Sequence, residues 1–391
     1  MSTNGTLMPG SQAALRRANQ LRVVEAVQAA GALTQAEIAR ITGLSAATVS
    51  NIVRELREKG TVAVTPTYSG RRRAQSVSLA RQARMAVAVD VGPSSLRVAL
   101  GDLGNRILAE EVISYDVAAS VERGMRRAVW LVETLLTQSR VDRSEVTGVG
   151  VGFPGRVDAS TGEIDSATFL PAWAGTRLAA ELGDRLGMAV HVDNDANMGA
   201  VGEHARGAGR GCSHLVYLKL SSSVAAGIVA DGRLYRGAEG IAGEIGHIAV
   251  DARGSVCRCG NRGCLETLVG GPYLLEMLPR PSGRDQPPPT LGSVIAKALA
   301  GDPGCRRILS DAGRAVGGSV AIIANLFNPR LVILGGELAR AGDLVLQSIR
   351  QAVEQAAVPS AVRTLRVVHG ELGERAQIVG ALAVAATIPP P

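Results

Sequence analysis

From Leu15 to Ala30 apolar side chains recur at helical spacing, and Gly31 interrupts them. A second, shorter helix is predicted over Gln35 to Thr42, with Thr34 as N-cap and Glu37 at the third helical position, the reciprocal pairing of a capping box. Gly43 supplies the turn, and Ser45 can cap a third helix. In that helix Val49, Ile52, Val53 and Leu56 fall on one face, leaving Ala46, Ala47, Ser50, Asn51 and Arg54 on the other. Thr61 to Val64 and Ser76 to Leu79 read as strands, joined by a basic tip, Tyr68-Ser69-Gly70-Arg71-Arg72-Arg73.

At Met85 the texture changes to buried strands and tight turns. Strands are predicted over Ala86 to Asp90, Leu96 to Leu100 and Arg106 to Ser114, the last two joined by a turn at Asp102-Leu-Gly104-Asn105. A helix over Val121 to Arg140 and a strand over Val146 to Val151 follow. Strand, hairpin, helix and strand recur after His214, which suggests two related α/β halves around a cleft. The second half closes with a strand at Leu331 to Leu334, Gly335-Gly336 and a helix from Leu344 to Ala357. Pro279 to Thr290 reads as a surface loop.

Composition sharpens this division. A chain of 391 residues, 46% of them apolar, can build two or three globular units. Its net charge of +7 is carried almost wholly by arginine, since Lys59, Lys219 and Lys297 are the only lysines. Residues 1 to 84 hold twelve basic against four acidic residues, or +8, whereas the remainder is at −1. An anionic partner is therefore expected for the head alone. No apolar run is long enough for a membrane span and no apolar leader precedes Leu15, so a cytoplasmic protein without membrane contact is expected. Ten aromatic residues are too few for a groove of stacked rings on single strands.

The spacing of Ala39, Gly43 and Val49 resembles a helix-turn-helix: a small residue where two helices touch, a glycine in the turn, an apolar residue locking the second helix. With the hairpin behind it, the head reads as a winged helix-turn-helix for double-stranded DNA. Ser45, Ala46, Ala47, Ser50, Asn51 and Arg54 would face the major groove, and Arg71, Arg72 and Arg73 would meet phosphates or a minor groove. The bland alternative is a small protein-binding domain with a solvated basic face.

Four motifs carry a family resemblance. Gly150-Val-Gly152-Phe-Pro154-Gly155-Arg-Val-Asp158, Asp193-Asn194-Asp195-Ala196-Asn197, Gly243-Glu244-Ile-Gly246-His247 and Cys257-Arg-Cys259-Gly-Asn-Arg-Gly263-Cys264-Leu-Glu266 stand in the order found in the ROK family of repressors and sugar kinases. The resemblance runs from about residue 15 to 388 and implies an actin-like, ribonuclease-H-like two-lobed sugar-kinase fold behind the winged helix-turn-helix. It further implies that Asn194, Asp195, Glu244, His247 and Glu266 contact sugar hydroxyls, with Asp195 at the position of the kinase base. Vicinal hydroxyls suit carboxylates and amides, which accept or donate paired hydrogen bonds. The alternative is a helix cap at Asn194 and Asp195 and surface acids at the glutamates.

Three thiolates at Cys257, Cys259 and Cys264 with His247 would complete a closed tetrahedron, the arrangement of structural zinc. Gly260 and Gly263 let the chain fold back around an ion, while Cys212 and Cys305 stand alone and read as core residues. The competing reading is three small core cysteines and a buried histidine. His247 can offer one nitrogen to the metal and the other to a sugar.

The chain departs from the family at three places. Phe169-Leu170-Pro171-Ala172-Trp173 puts a ring where relatives have an asparagine. Asp90-Val91-Gly92-Pro93-Ser94 has a proline where the kinases have a flexible backbone donor. Ser221-Ser222-Ser223-Val224-Ala225-Ala226-Gly227 keeps one glycine of a phosphate loop. The expectation is a sugar-responsive transcriptional regulator, acting as a repressor and not as an enzyme, in three parts: head 1–84, first lobe 85–200, second lobe with the zinc site 201–391. A homodimer or tetramer on operator DNA is expected, because one head reads a half-site. The rivals are a sugar kinase carrying a DNA-binding head and a DNA-binding protein that needs no ligand.

Overall fold

The computed structural model describes residues 12–58, 60–69, 72–79, 85–92, 94–116, 120–158, 160–166, 170–278 and 288–388. Arg71, Pro93, Phe169 and most of the proline-rich stretch lie outside the described residues, as do the side chains of Arg72 and Arg73. Two compact units result, Met1–Met85 together with Asp102–Arg106, and the rest of the chain. Among the described residues no helix is long and apolar enough to cross a membrane.

The head runs α1 (Gln12–Ala30), β1 (Ala32–Thr34), α2 (Gln35–Thr42), α3 (Ala46–Glu58), β2 (Val62–Ser69) and β3 (Arg72–Leu79). The capping box forms as expected: the Glu37 amide donates to Thr34 Oγ1 at 3.3 Å, and the Thr34 amide donates to the Glu37 carboxylate at 2.8 Å. These bonds hold the Glu37 carboxyl below the usual carboxylate range. Val49, Ile52, Val53 and Leu56 bury their stripe against Val23, Val27, Ile38, Val62 and Val77. The wing strands are longer than the alternating pattern indicated, pairing from Val62 with Leu79 out to Ser69 with Arg72. Backbone pairing continues past the alternating apolar positions. Ala32–Thr34 adds a third strand against Ser76–Ser78, too short to leave a period in the sequence.

The body contains two sheets of one design. The first is built from β4 (Met85–Val91), β5 (Ser95–Asp102), β6 (Ile107–Ser114), β7 (Val146–Phe153) and β10 (Val190–Asn194), with a small pair β8 (Arg156–Val157) and β9 (Ile164–Ser166) beside it. The second comprises β11 (Leu215–Leu220), β12 (Val224–Ala230), β13 (Arg233–Tyr235), β14 (Leu331–Gly335) and β15 (Arg366–His369). Their orders, β6-β5-β4-β7-β10 and β13-β12-β11-β14-β15, are the same sequence of third, second, first, fourth and fifth strand. The duplication expected from the recurring pattern is therefore real.

Helices α4 (Val121–Ser139) and α5 (Leu178–Leu186) belong to the first half, and α6 (Asp195–Arg206) follows β10 directly. In the second half come α7 (Glu266–Val269), α8 (Gly271–Glu276), α9 (Leu291–Leu299), α10 (Pro303–Phe327), α11 (Asp343–Ala356), α12 (Pro359–Val362) and α13 (Ala376–Ala385). The last helix returns to the first sheet. Ile378, Val379, Ala381, Leu382 and Ala385 bury themselves with Ala86, Ala88 and Ala99 of the first sheet and Met198 of α6. The helix is apolar nearly all round, so it can only be accommodated between two partners.

Helices α6 and α13 meet at backbone distance. A Cβ on Gly202 would come within 2.1 Å of the Ala376 carbonyl oxygen, and one on Gly380 within 1.8 Å of the Met198 carbonyl oxygen. Gly202→Ala and Gly380→Ala are each expected to destabilise the body by about 1–3 kcal/mol in denaturant unfolding. Gly318→Ala, with nothing within 4 Å of the added methyl, should instead stabilise by about 0.5–1 kcal/mol. Equal stability of all three variants would show that the seat is not tight.

Candidate functional site

The site begins where β10 ends. Strand β10 runs parallel to β7, with Asp193 beside Gly152 and Asn194 beside Phe153. Asn194 caps α6: its Oδ1 accepts from the Ala196 amide at 2.9 Å while its Nδ2 donates to the Gly155 carbonyl at 3.0 Å. Buried Asp193 accepts from the Asn194 amide at 2.7 Å, from Asn197 Nδ2 at 2.8 Å and from Arg236 Nε and Nη2 at 3.0 and 2.7 Å. The cap reading of Asn194 is thus realised.

Asp195 occupies the first turn of α6, where the helix N-terminus favours negative charge. It forms an ion pair with Lys219 of β11, and the two side chains are only 4% and 13% exposed. Burial works to lower the Lys219 ammonium, but Asp195 and Asp90 outweigh it and raise it. Burial also pushes the Asp90 carboxyl up to about 6, although Lys219 pulls it down.

All five expected contact residues, Asn194, Asp195, Glu244, His247 and Glu266, line one cavity of about 470 Å³. Arg156, Ser223 and Asn261 line it as well and were not anticipated. Glu266 is buried, and its Oε2 accepts from the Val224 amide at 3.1 Å. Its Oε1 has no hydrogen-bond partner and only a 3.5 Å ion pair with Arg258. A buried carboxylate oxygen left without a donor at a cavity wall is suited to a ligand hydroxyl.

Beside this cavity the ligand atoms of His247, Cys257, Cys259 and Cys264 all lie within 4.8 Å of one another. Cys257 Sγ is 3.7 Å from His247 Nδ1, and Cys259 Sγ is 3.7 Å from Cys264 Sγ. A tetrahedral site with metal–sulfur bonds of about 2.3 Å has edges of about 3.8 Å, so the cluster fits a metal ion. The loop is shaped for it by bonds from the Cys257 amide to the Asn261 carbonyl (2.7 Å) and from the Gly263 amide to the Ser255 carbonyl (2.8 Å). Since Nδ1 faces Cys257, Nε2 of His247 is left 3.6 Å from Glu244. The imidazole therefore joins the cluster to the cavity.

Three amides of the serine-rich loop are engaged by protein acceptors. Ser221 donates to the Ser223 carbonyl at 3.1 Å, Val224 to Glu266, and Ala226 to the Gly243 carbonyl at 2.8 Å. The surviving glycine has a packing reason, because a Cβ on Gly227 would lie 2.4 Å from the Ala196 carbonyl oxygen. On the head, Ser45, Ala46, Ala47, Ser50, Asn51 and Arg54 are all exposed, as a groove-facing surface requires. Ser45 Oγ accepts from the Thr48 amide at 3.1 Å, and Arg54 Nη2 donates to Asn51 Oδ1 at 3.1 Å.

Known proteins bear on both units. Residues 15–73 match the MarR family and residues 86–388 match the ROK family. The xylose repressor of Caldicellulosiruptor bescii is 28% identical over 388 residues, covering 96% of this chain and 97% of its own. The glucokinase of Thermotoga maritima is 34% identical over 315 residues, covering 76% of this chain and 96% of its own. In structure, a ROK family transcriptional regulator described as a homolog of the E. coli MLC protein superposes with a TM-score of 0.80 at 24% identity, with 96% of both chains covered. With a match spanning most of its length, two sheets of one strand order and the motif residues gathered in one cleft, the chain belongs to the ROK family.

Proposed function

We propose that the protein is a sugar-responsive DNA-binding transcriptional regulator, acting as a repressor. One observation carries the reading: a MarR-type head with an exposed small-residue helix face is joined in one chain to a cavity lined by Asn194, Asp195, Glu244, His247 and Glu266. The full-length similarity to a protein named xylose repressor supports it. In this reading a sugar binds the cleft through its hydroxyls, and the two lobe arrangements differ in affinity for it. Binding thereby alters the placement of the heads. The functional unit is a homodimer, since each head reads one half-site.

The metal is zinc, held by His247, Cys257, Cys259 and Cys264. It supplies structural support that orients His247 toward the sugar. A kinase reading is favoured by one observation, the position of Asp195 on the cavity wall together with similarity to a glucokinase. The engagement of the Ser221, Val224 and Ala226 amides by protein acceptors weighs against it, because a phosphate cradle needs free amides.

Arg72→Ala with Arg73→Ala should weaken DNA binding and reduce the dependence of log affinity on log salt by about 0.9 for each phosphate no longer neutralised. Unchanged affinity and slope would place the wing away from DNA. Substitutions at Ser50 or Asn51 should shift sequence preference instead, which selection from a random-sequence pool would reveal. Metal analysis should return about one zinc per chain, and Cys257→Ser should lose the ion, lower the melting temperature and weaken sugar binding. A protein without zinc whose Cys257→Ser variant is fully stable would refute the assignment.

A further inference from the structure

Behind the cavity wall stands a charged group that the hydroxyl-binding set does not include. Lys219 lies on β11 in register with Ala225 of β12 and Gly335 of β14. Two residues along from Tyr217, it shares the face of the sheet that α6 covers. Its ammonium pairs with Asp195 Oδ2. It also acts on Asp90 at the end of β4, which Arg97 of β5 influences from the other side. Tyr217 is held far above its usual range by burial and by Glu203, Asp195 and Asp90. Glu244 interacts with Asp195 electrostatically. Asp195 is thus the ion-pair partner of Lys219, while Asp90, whose Oδ1 stands against Gly152 beside the Asp195 backbone, lies within its electrostatic reach.

We propose that Lys219 is a positioning residue that makes Asp195 an acceptor of a hydrogen bond and not of a proton, and so confines this end of the cleft to ligands presenting a free hydroxyl. The inference rests on the sugar-binding reading of the cleft. Its physical basis is charge balance. A hydroxyl that donates to Asp195 leaves the carboxylate charged and Lys219 paired. A proton transferred to Asp195 would remove the partner of a buried ammonium, a state the interior strongly disfavours. With one carboxylate oxygen held by Lys219, the other is left for the ligand.

The test uses the full-length, metal-replete chain as wild type, Lys219→Met and the double variant Asp90→Asn/Lys219→Met. Removing the ammonium leaves two neighbouring acids facing each other, so a proton must take the place of the missing cation. Both acids then resist ionisation in the folded state, and a raised folded pKa gives stability that is present at low pH and lost as pH rises. The melting-temperature deficit of Lys219→Met should accordingly be largest at pH 8 and shrink toward pH 5.5. The double variant, with one acid neutralised, should relieve most of the deficit at pH 8.

In titration calorimetry against the tightest sugar from a thermal-shift panel of monosaccharides, Lys219→Met should bind at least tenfold more weakly. The double variant should recover to within about threefold of wild type. A deficit that is constant across pH, or that Asp90→Asn leaves unrelieved, overturns the proposal, because a lysine needed only for packing would behave in that way. Wild-type protein that binds no sugar refutes the sugar reading, whereas the unfolding series judges Lys219 without any ligand.

Discussion

The body is organised by the seating of one helix. Helix α6 presses against α13 through Gly202 and Gly380, and against β12 through Gly227, at separations that admit no side chain. Interiors packed this closely do not deform continuously, so the helix has little freedom to slide or rotate. Its N-terminus is therefore a fixed point. Asn194 and Asp195 line the cavity from it, and the pairing of buried Asp193 with half-buried Arg236 holds the chain just before it. The return of α13 to the first sheet ties the end of the chain to the same helix.

From that point the chemistry extends in two directions. Toward the second sheet, Lys219 balances Asp195, and the serine-rich loop is tied to Glu266 and Gly243. Toward the cysteine loop, Glu266 and His247 line the cavity, and His247 also belongs to the cluster with three cysteines that could hold a metal ion. A ligand in the cavity would thus touch side chains anchored by a helix terminus, by a sheet and by a metal loop. Such a site responds to ligand through the relation of its parts, which is what a regulator requires. The chain's excess of basic charge plays no part in it, since that excess, +8, resides in residues 1–84 and the remainder is at −1.

Much of this was legible in the sequence because it depends on local spacing. The capping box at Thr34 and Glu37, the apolar stripe of α3 and the cysteine cluster each fall within ten residues or so, where periodicity and ligand spacing speak directly. The gathering of five site residues was legible through a family pattern and not through physics alone. What escaped was long-range or patternless. Lys219 meets Asp195 across 24 positions and Arg236 meets Asp193 across 43, and nothing in the spacing of lone charges announces such pairs. Strand β1 is three residues long, and α13 reads as an apolar helix whose partner lies some 180 residues back. Glu266 was expected at the site, but its buried oxygen without a hydrogen-bond donor is visible only in three dimensions.

The central claim is that one chain couples a sugar-filled cleft to operator DNA. The most direct measurement is a titration of a labelled operator, obtained by selection of bound genomic DNA, with and without a sugar that measurably binds the full-length protein. The account predicts that saturating sugar weakens operator affinity by at least fivefold, the lower end of ordinary allosteric coupling at about 1 kcal/mol. An operator affinity that is indifferent to every sugar the protein binds would contradict it.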